Sequence, residues 1–156
     1  MVLKQKESKY FNFEVEKRIR DSAEIVSEKF AKVLSFKALG TNCKIKIITN
    51  SNNISSEYFN DVLYWISCFE SRYSRFLESS LICEINNQAG KNKVEINEED
   101  ETLFKLCDEM HFFSRGVFDP SSLPILKLWD YKNNTSKVPD DDQIKIALEK
   151  TNWRKV

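Results

Sequence analysis

The chain has 156 residues, its 24 Lys and Arg are balanced by 24 Asp and Glu, and 41% of its residues are hydrophobic. This is the length of one average domain, and it is long enough to bury a core. A net charge of zero gives no long-range attraction to nucleic acid or to an anionic membrane surface, so neither is expected as a partner. No apolar stretch reaches the length needed to span a bilayer.

The N-terminal sequence and the cysteines predict a cytoplasmic, reduced protein. Charged residues rather than an apolar run follow Met1, and neither a signal peptide nor a lipobox is recognised, so the expected location is cytoplasmic. None of the four cysteines belongs to a C-x-x-C pair, which favours reduced thiols. Three of them, Cys43, Cys68 and Cys107, fall on predicted apolar faces and are interpreted as core residues rather than metal ligands.

The first third of the chain predicts a helix followed by a strand. Apolar residues recur at spacings of three and four over residues 13–30, so a helix is expected there, and residues 1–32 are interpreted as an N-terminal helical extension. Residues 35–48 are typical of a half-buried strand, because Cys43, Ile45 and Ile47 alternate with lysines. Gly40 interrupts the strand and indicates a bend or the close approach of a ligand.

Two amphipathic helices are predicted next. Ser55 or Ser56 is expected to cap the first, whose apolar stripe runs from Phe59 to Tyr73. Asn97 is expected to cap the second, and the acids that follow it complement the helix dipole. The side chains predicted to be buried are Val62, Leu63, Ile66, Leu103, Leu106, Met110 and Trp129.

Shorter elements complete the prediction. A strand is expected at residues 94–96, a last helix after Pro139, and a turn leading into a strand at residues 152–156. Amphipathic helices that alternate with half-polar strands favour an α+β fold, with an antiparallel sheet and packed helices.

Three segments carry a distinctive pattern. Residues 36–41 read Phe-Lys-Ala-Leu-Gly-Thr, and residues 114–129 contain Ser-Arg-Gly-Val-Phe-Asp-Pro-Ser before a Leu-Trp pair. The segment between them, residues 70–86, places Ser74, Phe76, Ser80 and Asn86 in a fixed register after Glu70. In order and internal spacing, the three segments resemble the FAD:protein FMN transferase (ApbE-like) family, over roughly residues 34–156.

The resemblance has mild departures. Leu39 stands where the family has Met, Phe76 where it has Tyr, Leu81 where it has Glu and Ser121 where it has Thr. Leu39 keeps apolar bulk, Phe76 keeps an aromatic face but loses a hydroxyl, and Ser121 keeps a hydroxyl.

The resemblance implies a flavin-contacting surface on the matched segments, and the residues expected to contact FAD are Leu39, Gly40, Thr41, Phe76, Val117, Phe118 and Asp119. Glycine and proline around Phe118 hold the loop, Phe118 offers an aromatic face, and Asp119 offers an acceptor for ribose hydroxyls or an amide. The alternative is that Phe118 is a core residue and Asp119 caps a turn. His111 is interpreted as a surface or interface side chain.

The activity implied by the resemblance is a Mg²⁺-dependent transfer of FMN from FAD to a Thr or Ser of a target flavoprotein, with AMP leaving. Residues 33–156 would then form the N-terminal part of an ApbE-like domain in a truncated or partial form. The family's catalytic and metal-binding residues lie in the C-terminal half, so no catalytic or metal residue is expected here.

Three hypotheses follow from the resemblance. The chain is a transferase, or a FAD pyrophosphatase, completed by a C-terminal half. Alternatively, it is a non-catalytic remnant that binds flavin. In the third hypothesis it is a pseudo-enzyme whose former flavin surface binds another protein.

Overall fold

The computed structural model describes residues 8–129 and 138–155, which fall into two compact units, Met1–Val94 and Glu95–Val156. The architecture is α+β, as predicted from the sequence. None of the helices in the described ranges combines the length and apolar character needed to cross a bilayer.

The first unit is a small antiparallel sheet covered by helices. Its elements are α1 (Phe13–Asp21), β1 (Glu24–Glu28), β2 (Ala31–Ala38), β3 (Thr41–Ile47), α2 (Asn52–Tyr73) and α3 (Leu81–Gln88). The strands lie in the order β1-β2-β3, and each neighbouring pair is antiparallel. Helices α1 and α2 pack against each other and against β2, the central strand.

The core of the first unit forms where β2 meets α1 and α2. Its buried residues are Val15, Ile19, Leu34, Phe36, Ala38, Phe59 and Leu63. On α2 the buried positions recur every four residues and include three serines, Ser55, Ser67 and Ser71. The Ser55 hydroxyl donates to the Asn52 carbonyl at 2.9 Å, the Ser67 hydroxyl donates to the Leu63 carbonyl at 2.6 Å, and Ser71 Oγ accepts from the Asn12 amide at 3.2 Å. Each buried hydroxyl therefore has a hydrogen-bond partner.

The helix predicted over residues 13–30 is too long. It ends at Asp21, and Ser22 stops it: the Ser22 hydroxyl donates to the Ile19 carbonyl and accepts from the Lys37 amide. Residues 24–28 form β1 instead, with Val26 56% exposed. The apolar spacing continued past the end of the helix, but pairing with β2 determines the local structure.

Two further predictions for the first unit need correction. The strand expected over residues 35–48 is two strands joined at Gly40, although the alternation of half-buried Cys43, Ile45 and Ile47 is confirmed. Helix α2 begins at Asn52 and is capped by Ser51 rather than by Ser55 or Ser56, because the Ser51 hydroxyl accepts from the Ile54 amide.

The second unit contains α4 (Glu98–Phe113), α5 (Leu123–Leu126), α6 (Asp141–Glu149) and a 3₁₀ helix (Trp153–Lys155). Asn97 caps α4 as predicted, in a capping box with Asp100. A second capping box, Asp140 with Gln143, begins α6 after Pro139. Residues 94–96 form no strand, and the expected C-terminal strand is the 3₁₀ helix.

Several predicted core positions of the second unit are exposed. Leu106 is 53% exposed, Met110 is 48% exposed and Trp129 is 36% exposed, so their predicted burial is wrong. Leu103 and Cys107 are half-buried. The described part of this unit contains no strand that could cover the apolar stripe of α4.

Candidate functional site

The first matched segment forms a two-residue turn between β2 and β3. Leu39 and Gly40 connect the paired residues Ala38 and Thr41, and their φ angles are +52° and +72°. Two positive φ values match the type I′ turn that suits the twist of a hairpin. A left-handed conformation costs a leucine about 1–2 kcal/mol, so Leu39 is a strained residue. No atom lies within 4 Å of a Cβ built on Gly40, which leaves open space beside its backbone.

Glu70 on α2 holds this turn in place. Its Oε2 accepts a hydrogen bond from the Leu39 amide at 2.8 Å, and its Oε1 is 2.6 Å from Nη2 of Arg18 on α1. One carboxylate therefore joins the turn, α1 and α2. This contact also links the first two matched segments, because Glu70 begins the second. The position of Glu70 at the start of the second segment did not predict this role.

Phe76 lies in the connection between α2 and α3. Its side chain is 66% exposed, and the Arg75 guanidinium lies 4.5 Å from the ring centroid. Ser74 and Ser80 fix the connection: the Ser80 hydroxyl donates to the Ser74 carbonyl at 2.6 Å and also caps α3. The spacing of these serines in the motif thus has a structural reason, because they fix the connection on either side of the exposed Phe76.

The third segment, like the first, contains a non-glycine residue and a glycine in succession that both have positive φ. Arg115 and Gly116, with φ of +54° and +83°, end α4, and the Gly116 amide donates to the His111 carbonyl at 2.9 Å. Here the His111 ring lies beside the glycine, because a Cβ on Gly116 would be 3.6 Å from it, an ordinary van der Waals contact. The positive φ of this glycine permits the chain to reverse direction after α4.

His111 supports the loop that follows. Its Nδ1 lies 2.9 Å from the Phe118 carbonyl oxygen, and because that oxygen only accepts, Nδ1 carries the hydrogen. The Phe118 amide donates to the Ser114 hydroxyl at 2.9 Å. Phe118 is 41% exposed and is not a core residue, and Val117 is 90% exposed. Sequence reasoning missed this role of His111, for which the only signal was its position seven residues before Phe118.

Asp119 caps a turn, as the alternative interpretation held. Its Oδ1 accepts from the Ser121 amide at 2.8 Å and from the Ser121 hydroxyl at 2.6 Å, and its Oδ2 accepts from the Trp153 amide at 3.4 Å. Partial burial raises the pKa of Asp119, but the hydrogen bonds from Ser121 and Trp153, helped by His111, outweigh it and lower the pKa from the ordinary 3.8. A carboxylate has about four lone-pair sites, so one acceptor site remains.

The described residues do not fit a magnesium ion. Within residues 8–129 and 138–155, no group of three or more His, Cys, Asp or Glu side chains is placed to hold a metal. Mg²⁺ requires near-octahedral oxygen ligation, and most of the oxygen capacity of Asp119 is already used by hydrogen bonds.

Comparison with known proteins supports the family resemblance that these segments carry. The model of the ApbE family matches residues 39–156, which is more than half of the chain. The chain belongs to the ApbE family. It is 28% identical over 124 residues to the FAD:protein FMN transferase of Treponema pallidum (strain Nichols), covering 76% of this chain and 33% of that protein.

The solved ApbE protein of Thermotoga maritima is also similar to this ApbE-family chain. The two superpose with a TM-score of 0.69 at 26% identity, over 80% of this chain and 40% of the other. The chain therefore spans only about a third to two-fifths of the length of these relatives.

Replacing Glu70 by alanine should loosen the β2–β3 turn. The Leu39 amide loses a charge-assisted acceptor, and the strained turn loses its anchor. The ion pair of Glu70 with Arg18 adds little, because the Arg18 side chain is half exposed to solvent. We therefore expect the free energy of opening the turn to fall by about 1 kcal/mol, which corresponds to roughly fivefold faster hydrogen exchange of the Leu39 amide. Glu78→Ala, which removes an exposed carboxylate from the same unit, is the control. Unchanged exchange at Leu39 would contradict the anchoring role.

Asp119 should contribute stability that depends on pH. The folded-state pKa of Asp119 is lowered, so this contribution is fully present above the ordinary, unfolded-state pKa of 3.8 and is lost as the pH falls through the lower folded-state pKa. Ser121→Ala removes the hydroxyl donor and should move the Asp119 carboxyl midpoint upward in a ¹³C NMR titration. A midpoint that does not change would show that the Ser121 hydroxyl is not the cause.

Proposed function

We propose that this chain supplies the flavin-contacting part of a FAD:protein FMN transferase, which passes FMN from FAD to a Thr or Ser hydroxyl of a target flavoprotein. The single observation that carries the proposal is the ApbE-family match, which begins at Leu39 on the strained turn and includes the loop at residues 117–119. Backbone strain that the surrounding structure maintains is frequent at ligand sites.

Each matched segment is suited to one kind of contact. Beside Gly40 the backbone is open, so a ligand can approach the Leu39–Thr41 turn closely. The exposed ring of Phe76 offers a stacking surface. In the second unit, exposed Val117 and half-exposed Phe118 offer apolar contact, and the remaining lone-pair site of Asp119 can accept a ribose hydroxyl or amide hydrogen.

Catalysis in this proposal needs more of the family domain than this chain holds. Residues 33–156 form the N-terminal part of the ApbE-like domain, and a C-terminal half completes it, either in the same polypeptide or as a second chain. Mg²⁺ bound by that half would neutralise charge on the FAD diphosphate. Two observations support the need for a C-terminal half. This chain covers only a third to two-fifths of the length of its relatives, and apolar side chains of α4 are exposed.

The exposed face of α4 also favours a second candidate. Leu106, Met110 and Phe113, which share one side of the helix, are all at least 48% exposed, which suits a protein-interaction surface. If no C-terminal half covers that face, the chain is a pseudo-enzyme that binds another protein or a non-catalytic flavin-binding remnant.

Titration with FAD tests the proposed flavin surface. Saturable quenching of FAD fluorescence is expected, and Phe76→Ala should weaken binding by about tenfold, because stacking on an aromatic ring is worth about 1–3 kcal/mol. Phe30→Ala removes another exposed phenyl ring from the same unit and should leave the affinity unchanged. No saturable binding by the unaltered chain would reject a flavin site formed by this chain alone and favour the pseudo-enzyme.

A further inference from the structure

A basic cleft lies at the C-terminal end of α4, within the second unit. It has a volume of about 300 Å³ and is lined by His111, Phe112, Arg115, Gly116 and Arg154. That volume is at the lower end of the range for small-molecule pockets. None of these residues is among those proposed to contact flavin.

The charged residues that line the cleft, among those the structure describes, are of one sign. Arg115 follows α4 and Arg154 lies in the 3₁₀ helix, so two separate segments bring an arginine to one cleft. No acidic residue of the described ranges lines it. Among the described residues, neither arginine forms an ion pair with a carboxylate, and both are exposed. Two uncompensated cations in a concave site attract an anion.

We infer that this cleft binds a phosphate-bearing small ligand. The guanidinium group presents paired N–H donors that match the oxygens of phosphate, and two such groups from different directions suit a diphosphate. Phe112 is 71% exposed, so its ring offers a stacking surface for a base attached to that diphosphate. The ligand is free pyrophosphate or the diphosphate of a nucleotide.

A simpler explanation is that these cations only offset the negative end of the α4 dipole. The last carbonyls of α4 are, however, already bonded: those of Met110, His111 and Phe112 accept the amides of Ser114, Gly116 and Arg115. In addition, Arg115 has a φ of +54°, where Asn or Gly is less strained, so the turn gives no reason for an arginine. Arg154 belongs to another element altogether.

The test is an NMR titration of the full chain with pyrophosphate and, separately, with ADP at matched ionic strength. The Gly116 amide and the His111 ring signals should shift saturably. Arg154→Gln and Arg115→Asn should each weaken binding by about tenfold. Arg115→Asn suits the left-handed backbone, and its effect is therefore one of charge rather than of folding. Lys145→Gln, an equal loss of charge on α6, is the control and should bind normally.

The ADP titration identifies the source of the phosphate. Tighter binding of ADP than of pyrophosphate, reduced by Phe112→Ala, assigns a nucleotide, and equal binding assigns the free anion. The inference is overturned if sodium chloride at the same ionic strength gives the same shifts, or if Lys145→Gln weakens binding as much as Arg154→Gln. The variants distinguish this inference from the flavin proposal, because Phe112, Arg115 and Arg154 are not among the residues proposed to contact FAD.

Discussion

Replacing Phe59 by alanine is expected to lower the free energy of unfolding of the first unit by about 3–5 kcal/mol. Phe59 is only 1% exposed and lies on α2, where it packs in the core with residues of α1 and β2. The alanine leaves a cavity at the point where three elements meet, and neighbouring side chains fixed by the sheet fill it only in part. Leu63→Ala, at the next buried position of α2, should cost about 2–5 kcal/mol.

Urea denaturation followed by far-UV circular dichroism measures this loss, and Phe30→Ala is the matched control. Phe30 belongs to the same unit but is 60% exposed, so its removal should change stability by less than about 0.5 kcal/mol. Equal losses for the two phenylalanine variants would show that α2 does not pack on the sheet as described. Leu106→Ala should likewise cost little, because Leu106 is exposed.

The sequence was informative wherever local chemistry decides the structure. Period-2 alternation predicted β3, and Asn97 followed by acids predicted the start of α4, because side-chain spacing and capping act within a few residues. The glycine signal at Gly40 correctly indicated a bend. The end of α1 was missed, since the apolar spacing continued to Phe30 and nothing local showed that residues 24–28 pair with β2.

The candidate site shows the same division between local and distant contacts. The sequence indicated a turn at both Gly40 and Gly116, but what lies beside each glycine depends on residues that are distant in the chain or on the next turn of a helix. No atom lies within 4 Å of a Cβ built on Gly40, whereas the His111 ring lies 3.6 Å from a Cβ built on Gly116. The contact of Glu70 with Leu39 joins residues 31 positions apart and therefore leaves no periodic signal. Asp119 combines a local turn bond to Ser121 with a distant one to Trp153, of which only the first follows from its position in the loop.

The apolar stripe of α4 shows that a sequence pattern can predict a helix without predicting whether its apolar face is buried. Its spacing correctly predicted a helix, and burial was then inferred because amphipathic helices usually pack by their apolar face. The face is exposed at Leu106 and Met110 in this chain. Periodicity identifies the face that a helix can bury, and whether a covering layer is present depends on the rest of the domain, which in the relatives is much longer.

Incubation of the pure chain with FAD and Mg²⁺ is expected to release no AMP. Hard cations need several convergent oxygen ligands, and within residues 8–129 and 138–155 no cluster of metal-binding side chains is present. Asp119, a carboxylate on one of the matched segments, already accepts hydrogen bonds from Ser121 and Trp153 and has little capacity left to bind a metal. Without a metal at the diphosphate, the charge on the leaving phosphate is not neutralised and the bond is not cleaved at a measurable rate.

Chromatographic detection of AMP gives the result, and a full-length FAD:protein FMN transferase assayed in parallel is the positive control. If this chain releases AMP and EDTA abolishes the release, the proposal that the C-terminal half binds the metal is contradicted. Asp119→Asn and Asp140→Asn would then be the first variants to examine. The chain alone can release no AMP while AMP appears after a polypeptide that covers the remaining ApbE domain is added. In that case the exposed face of α4 is the candidate surface that binds the added polypeptide. Leu106→Asp, which places a charge on that face, should then prevent the rescue while leaving FAD binding by the first unit unchanged.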